Sequence, residues 1–311
     1  MLEQKNHLSA HAADAEKETV SNEGNTKETM IIICIPICIL GLVGNGMVIL
    51  FLRYMIKKNK FNVYVMNMAM ADFVVILYLL SYFALFVEPA PINAHTSRFL
   101  EITYILGRNS SFYILTALCA ERYLSLFSPV WCQHHRPENL SAIVSAILWA
   151  FSCVISFVEE FTCYPRFYAL MNEDTFPCDI AKTIEAITDF LIFVPIMVFC
   201  TMAIFIKKQE KTQTMLDKTI AATVILFLIF DASARLLEHI DYWHDDIVEI
   251  PVFTFSVLFD SITSSINPFL YFAIGWWSRQ NTWEALEIFV ERALNYETNT
   301  EQTTQADEEE T

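Results

Sequence analysis

Charge is what this chain has least of: Asp, Glu, Lys and Arg make up 18% of its 311 residues, where soluble proteins carry about 25%. Glycine is scarce as well, at 6 residues, and no internal repeat or low-complexity linker divides the chain. Neither a half-chain repeat nor a pair of broken helices is visible, which argues against a seven-helix transporter or channel. No HExxH, no Gly-x-Ser-x-Gly and no clustered Cys/His ligand set occurs, so the common hydrolase and metal-site signatures are missing. His134 and His135 are adjacent, poor geometry for a buried site. Residues 1–29 contain no apolar run of signal-peptide length. Basic side chains are outnumbered 20 to 36, giving a net charge of −16. Such a chain repels phosphates, so nucleic acid is excluded as a partner.

What is present is apolar mass, 54% of the residues. A soluble core has no room for this much, and a disordered acidic chain would not contain it. Lipid is the remaining solvent. The run IIICIPICILGLVGNGMVILFL (31–52) has no charge and is long enough to cross a hydrocarbon layer of about 30 Å. Six further runs follow at 63–87, 98–127, 141–162, 181–206, 216–240 and 249–274. The expected fold class is therefore an all-α membrane protein, a seven-transmembrane helix bundle. Lys and Arg set its orientation. Arg53, Lys57, Lys58 and Lys60 lie in loop 1–2, Arg136 in loop 3–4, and Lys207, Lys208, Lys211 and Lys218 in loop 5–6, while the opposite loops hold few bases. The expected layout is an extracellular tail over 1–29, a membrane domain over 30–275 and a cytoplasmic C-terminus, in a multi-pass plasma-membrane protein. WWSRQNTWEALEIFVERAL (276–294) reads as a short cytoplasmic amphipathic helix eight on the lipid surface, followed by an acidic cytoplasmic tail over 295–311.

Polar residues inside apolar spans are expensive and mark function or structural pairing. Gly44-Asn45 lies in span one, Asp72 in span two, Glu121-Arg122-Tyr123 at the end of span three, Trp149 in span four, and Asn267-Pro268-Phe269-Leu270-Tyr271 in span seven. Five landmarks in this order on seven spans resemble the rhodopsin-like (class A) G-protein-coupled receptors. Three blocks bring the chain closer to the Mas-related receptors: GNGMVILFLRYMIKKNKFNVYVMNMAMADF (44–73), ERYLSLFSPVWCQHHRP (121–137) and SSINPFLYFAIGWWSRQ (264–280).

The resemblance carries specific implications. Asp72, Ser111 and Asn267 would form a polar core able to hold sodium. Glu121, Arg122 and Tyr123, with Asn267, Pro268 and Tyr271, would form the activation switch, in which Glu121 restrains Arg122 until the G protein takes the Arg. Pro268 removes a backbone donor and supplies a hinge. Mas-related receptors lack the usual Cys in span three and join span four to span five, which here implies a Cys163–Cys178 disulfide. They place ligand-anchoring acids in outer spans four and five, and Glu159 and Glu185 match in type. The implied partners are a heterotrimeric G protein of Gq or Gi type, arrestin and membrane lipid. No cofactor is implied.

The residues add a direction. Eleven acids crowd loops 4–5 and 6–7 or their flanks: Glu159, Glu160, Glu173, Asp174, Asp179, Glu185, Glu238, Asp241, Asp245, Asp246 and Glu249. Such a field steers cations, so the expected ligand is a cationic peptide or amine; a plain solvated rim is the alternative. Deeper, Tyr104, Arg108, Asp189 and Asp260 join the candidate ligand-binding residues, with Arg108 paired to Asp260 or Asp231, either as a pocket floor or as a purely structural network. Asp231 and Arg235 share one helical face. Span six, LFLIFDASARLLEHI, has no Pro, Ala234 standing where the family keeps one, which puts the usual kink in doubt. A constitutively active receptor is therefore the competing expectation.

Overall fold

The computed structural model describes residues 2–54, 60–89, 91–163, 176–208, 215–243 and 252–277. Of the expected helix eight, Trp276 and Trp277 end the last transmembrane helix; residues 278–294 and the acidic tail lie outside these ranges, as do Lys57, Lys58, Arg166, Glu173, Asp174, Lys211, Asp245, Asp246 and Glu249. Within them the helices are α1 (Leu2–Tyr54), α2 (Lys60–Val87), α3 (Ala94–Phe127), α4 (Pro129–His134), α5 (Leu140–Thr162), α6 (Phe176–Ala186), α7 (Val194–Lys208), α8 (Met215–Ile229), α9 (Asp231–Trp243) and α10 (Val252–Trp277), with a π-helical segment, Ile187–Phe193, joining α6 to α7. No strand occurs among the described residues.

Five rods are long and apolar enough to cross a membrane: Lys27–Tyr54, Lys60–Val87, Leu140–Thr162, Cys178–Lys207 and Leu216–Trp243. The helices α3 and α10 bring the number to seven. The α3 rod is the polar strut of the bundle: Glu101, Arg108, Asn109, Ser110, Glu121 and Arg122 are all buried along it. It packs against α2, α5, α7 and α8, so protein rather than lipid surrounds it and its polar groups find partners there.

The outermost rod shows how lipid inverts the usual pattern. On α5 the buried residues include Ser141, Ser145, Ser152 and Ser156, small side chains that let helices approach closely. Its exposed positions are Ile143, Ile147, Val154, Phe157 and Phe161. Close approach between α1 and α10 depends on glycine. A Cβ on Gly41 would sit 2.2 Å from Ser265 Oγ, and one on Gly44 would sit 2.9 Å from Pro268 Cβ.

Span six has no proline, and its helical hydrogen bonding runs through Phe230. The α-helix stops at Ile229 and restarts at Asp231, but the Phe230 N–H reaches the Leu226 carbonyl and the Ala234 N–H reaches the Phe230 carbonyl, each at 3.0 Å. Ser233 Oγ donates to the carbonyls of Ile229 and Phe230, the latter at 2.9 Å, side-chain bonds of a kind that often bends a helix.

Two apolar clusters fill the bundle. One, including Leu52, Phe61, Tyr64, Leu118 and Leu216, lies towards the end that carries Glu121-Arg122. The other, including Ile31, Tyr78, Phe83 and Tyr104, lies at the opposite end. Buried charge lies beside the second cluster, continues between the two, and recurs beside the first as Glu121, Arg122 and Asp217.

Candidate functional site

The end of the bundle opposite Glu121-Arg122 is tied by the Cys163–Cys178 disulfide, with Cα atoms 5.0 Å apart. Glu159 lies one turn before Cys163 on α5, and Glu185 lies two turns after Cys178 on α6. The bridge thereby sets two carboxylates on neighbouring helices, and both are buried, at 7% and 8% exposure. Lys182 reaches both. Its Nζ donates to Glu159 Oε1 and, at 3.1 Å, to Glu185 Oε2. His239 Nε2 on α9 lies 3.8 Å from the same Glu185 oxygen. Glu159 Oε2 is buried with no hydrogen-bond partner among the described residues.

Beneath this cage lies a network on two arginines. The π segment widens the hydrogen bonding, the Val194 N–H reaching the Asp189 carbonyl, and Asp189 is fully buried. Arg235 Nη1 donates to Asp189 Oδ2 at 2.7 Å and to Asn109 Oδ1 at 2.8 Å, and its Nε donates to Asp231 Oδ2 at 2.7 Å. Tyr113 donates to the other Asp189 oxygen at 3.1 Å. Arg108 lies 3.3 Å from both Asp231 and Asp260 and 2.8 Å from Glu238. Of the two partners the sequence leaves open for Arg108, it meets both. Tyr104 donates to Asp260 and stacks on Tyr78, with centroids 4.4 Å apart. Two arginines thus hold four carboxylates in the bundle interior, where removing either cation would leave uncompensated buried charge.

A cavity continues inward from Arg108, Asp231 and Asp260 to Asp72, Ser111 and Asn267. Ser111 Oγ donates to Asp72 Oδ1 at 2.6 Å, and Asn267 Nδ2 donates to Asp72 Oδ2 at 2.8 Å. Asp72 is 2% exposed. One helical turn away, Pro268 has no N–H to offer the Ser264 carbonyl. Asn45 Nδ2 supplies the missing donor from α1, at 2.9 Å, and also bonds the Gly41 carbonyl at 3.0 Å. Trp149 Nε1 donates to Asn67 Oδ1 at 3.1 Å, joining α5 to α2.

At the end away from the disulfide, Glu121 and Arg122 reach different elements. Adjacent residues on a helix do not face one another. Arg122 Nε lies 2.7 Å from Asp217 Oδ1, in the first turn of α8, and both side chains are buried. Glu121 takes Arg136 Nε at 2.6 Å and the Tyr64 hydroxyl at 3.3 Å. Tyr123 stacks on Phe127, with centroids 4.5 Å apart.

Sequence comparison agrees with this ordering of polar groups. The family model for the seven-transmembrane receptors of the rhodopsin family matches residues 44–271. Proto-oncogene Mas of Homo sapiens is 33% identical over 268 residues, covering 83% of this chain and 80% of that protein. Mas-related G-protein coupled receptor member H of Rattus norvegicus is 33% identical over 288 residues, covering 89% and 86%. Member D of Rattus norvegicus is 30% identical over 277 residues, covering 84% of each. The chain belongs to the Mas-related receptors of the rhodopsin family.

As a receptor it is a multi-pass membrane protein and not an enzyme. The structure gathers Glu159, Glu185, Asp189, Arg108, Tyr104 and Asp260 into one chain of contacts from the outer cage to the cavity. It gathers Asp72, Ser111 and Asn267 at the cavity's inner wall. Pro268 sits inside α10, and Tyr271 is buried one turn beyond it. Arg122, which the resemblance pairs with Glu121, meets Asp217, while Glu121 meets Arg136. Three residues escape a reading of the sequence alone. Lys182 looks like a stray outer base, Asp217 is masked by the lysines around it, and Ser233 is one serine among many. Spacing gives partial signals: Lys182 precedes Glu185 by three, which puts them on one helical face, and Ser233 lies four after Ile229.

Proposed function

We propose that this Mas-related receptor senses cationic peptides or amines at the Glu159–Glu185 cage and activates a heterotrimeric G protein of Gq or Gi type. The observation that carries the reading is the convergence of these two acids on one ammonium, Lys182 Nζ. A cage that already holds one organic cation has the chemistry to hold another. The basic inner loops support an extracellular N-terminus at the plasma membrane and a cytoplasmic C-terminus, with helix eight over 276–294 and the acidic tail beyond it on the arrestin-accessible side.

From the cage, a ligand's charge meets Asp189 and Arg235 next, then Arg108 and Asp260, then the cavity at Asp72. Among the described residues no basic side chain pairs with Asp72, whose neighbours are a hydroxyl and an amide. That donor set of hard oxygens beside an unbalanced carboxylate fits sodium, which would supply the missing positive charge. At the far end, activation separates Arg122 from Asp217 and frees the guanidinium for the G protein.

The test is a calcium readout in cells challenged with basic peptides, repeated on Glu159→Ala and Glu185→Ala. Loss of potency in both variants is expected; unchanged potency in both overturns the anchor. A second reading, a receptor active without ligand, draws on the same lysine, because Lys182 already fills the cage. In that case signalling is guanine-nucleotide-sensitive but indifferent to added peptide.

A further inference from the structure

Lys182 occupies the place where an incoming cation is expected. Its ammonium bridges Glu159 and Glu185, its side chain is 16% exposed, and its two carboxylate partners are 9% and 11% exposed. The disulfide at Cys178, one turn before Lys182, holds the start of α6 against the end of α5. Among the described residues the cage offers one ammonium, with His239 3.8 Å from Glu185, to two carboxylates, and Glu159 Oε2 is buried without a hydrogen-bond partner there. That spare oxygen points to a donor geometry the lysine does not satisfy.

We propose that Lys182 is a specificity-determining residue, a tethered ammonium that holds the cage in the ligand-free receptor and selects for guanidinium over simple amine ligands. This rests on the cage being the ligand anchor. The selection follows from competition. A group tethered beside its site acts at an effective concentration on the order of millimolar or more. A free ammonium that displaces it exchanges like for like, gaining no contact and losing its own translational freedom. A guanidinium differs in kind. Its planar fork places parallel N–H donors on a carboxylate, and so engages Glu159 Oε2 together with Oε1. The lysine thus sets a threshold that guanidinium ligands pass at lower concentration than amines.

The experiment uses the full-length receptor, purified in detergent, and follows its thermal unfolding midpoint against n-propylammonium and n-propylguanidinium. Wild type is expected to be stabilised by the guanidinium probe at concentrations about tenfold below any effect of the ammonium probe. In K182Q both probes are expected to act, the ammonium probe at least about tenfold more effectively than on wild type. Adding E159Q to K182Q should abolish both responses. Equal sensitivity of wild type to the two probes overturns the proposal, as does a K182Q receptor no more sensitive to ammonium than wild type. If K182Q does not reach the membrane, K182R decides. A tethered guanidinium should fill the cage and suppress the response to both probes, and an undiminished guanidinium response overturns the proposal. Failure of the anchor reading looks different. Basic peptides would then fail to signal through the wild-type receptor while the alkylammonium response of K182Q persists. Peptides that signal through Glu159 and Glu185 with equal potency in wild type and K182Q, with no gain for the ammonium probe, leave the anchor standing and sink the lysine.

Discussion

Asn45 and Pro268 show how a single residue can be read only with its partner. Proline leaves the Ser264 carbonyl without its helical donor, and the Asn45 amide replaces that donor from another helix. A buried polar group stripped of its partner costs about 1–3 kcal/mol. Asn45→Ala is therefore expected to destabilise the receptor by about that amount. Pro268→Ala restores an N–H to the Ser264 carbonyl, so the Asn45→Ala penalty should shrink in that background. Thermal unfolding of the four receptors in the cycle measures it; an equal Asn45→Ala penalty with and without Pro268 would show that the amide acts elsewhere. The same scale governs the inner bridge. Asp217→Asn removes the charge facing Arg122, and each 1.4 kcal/mol lost by the closed state multiplies the open fraction about tenfold. Ligand-free nucleotide exchange on the G protein should rise by about tenfold. An unchanged basal rate would place the restraint on Arg122 elsewhere.

At the scale of elements, the seven spans were legible because lipid demands long apolar runs and tolerates few exceptions. The exceptions were legible too: Asp72, Glu121-Arg122, Trp149 and Asn267-Pro268 each interrupt a run at a place only an internal partner explains. The pairing was less accessible. Arg108 stands four turns from Arg122 on one helix, yet its partners come from α9 and α10, which spacing along α3 does not report. Arg122 could be placed on its helix but not joined to Asp217, because the contact joins two helices far apart in the sequence. Ser233 is equally silent until its hydroxyl is seen on the Ile229 and Phe230 carbonyls. Ser233→Ala removes these side-chain bonds while leaving the apolar faces of α8 and α9 intact. Surface expression should be close to wild type, since a single neutral hydrogen bond is worth about 1 kcal/mol, whereas peptide-stimulated G-protein dissociation should fall severalfold. Normal signal amplitude from a well-expressed Ser233→Ala receptor would show that these bonds play no part in signalling.

Across the whole molecule, the net charge of −16 divides by position into parts with different consequences. Among the described residues Glu159, Glu185, Asp189, Asp231, Glu238 and Asp260 enter the cage and the network beside it, while Asp179 accepts from Tyr242. Three bases, Lys182, Arg235 and Arg108, are threaded among them, so that positive and negative groups alternate from the cage to the cavity at Asp72. On the proposed reading, a cation added at Glu159 competes with Lys182 for carboxylates on α5 and α6, one of which also faces His239 on α9. The change would have to reach the contact of α8 with α3 at Arg122 and Asp217. The most direct test is the distance between those two helices at their inner ends. Spin labels at Leu124→Cys and Lys218→Cys, both exposed positions, report it in the purified receptor. Adding a basic peptide should lengthen the distance in the wild-type cage and leave it unchanged when Glu159 and Glu185 are both Gln. Equal lengthening in the two receptors, or none in either, would contradict the account.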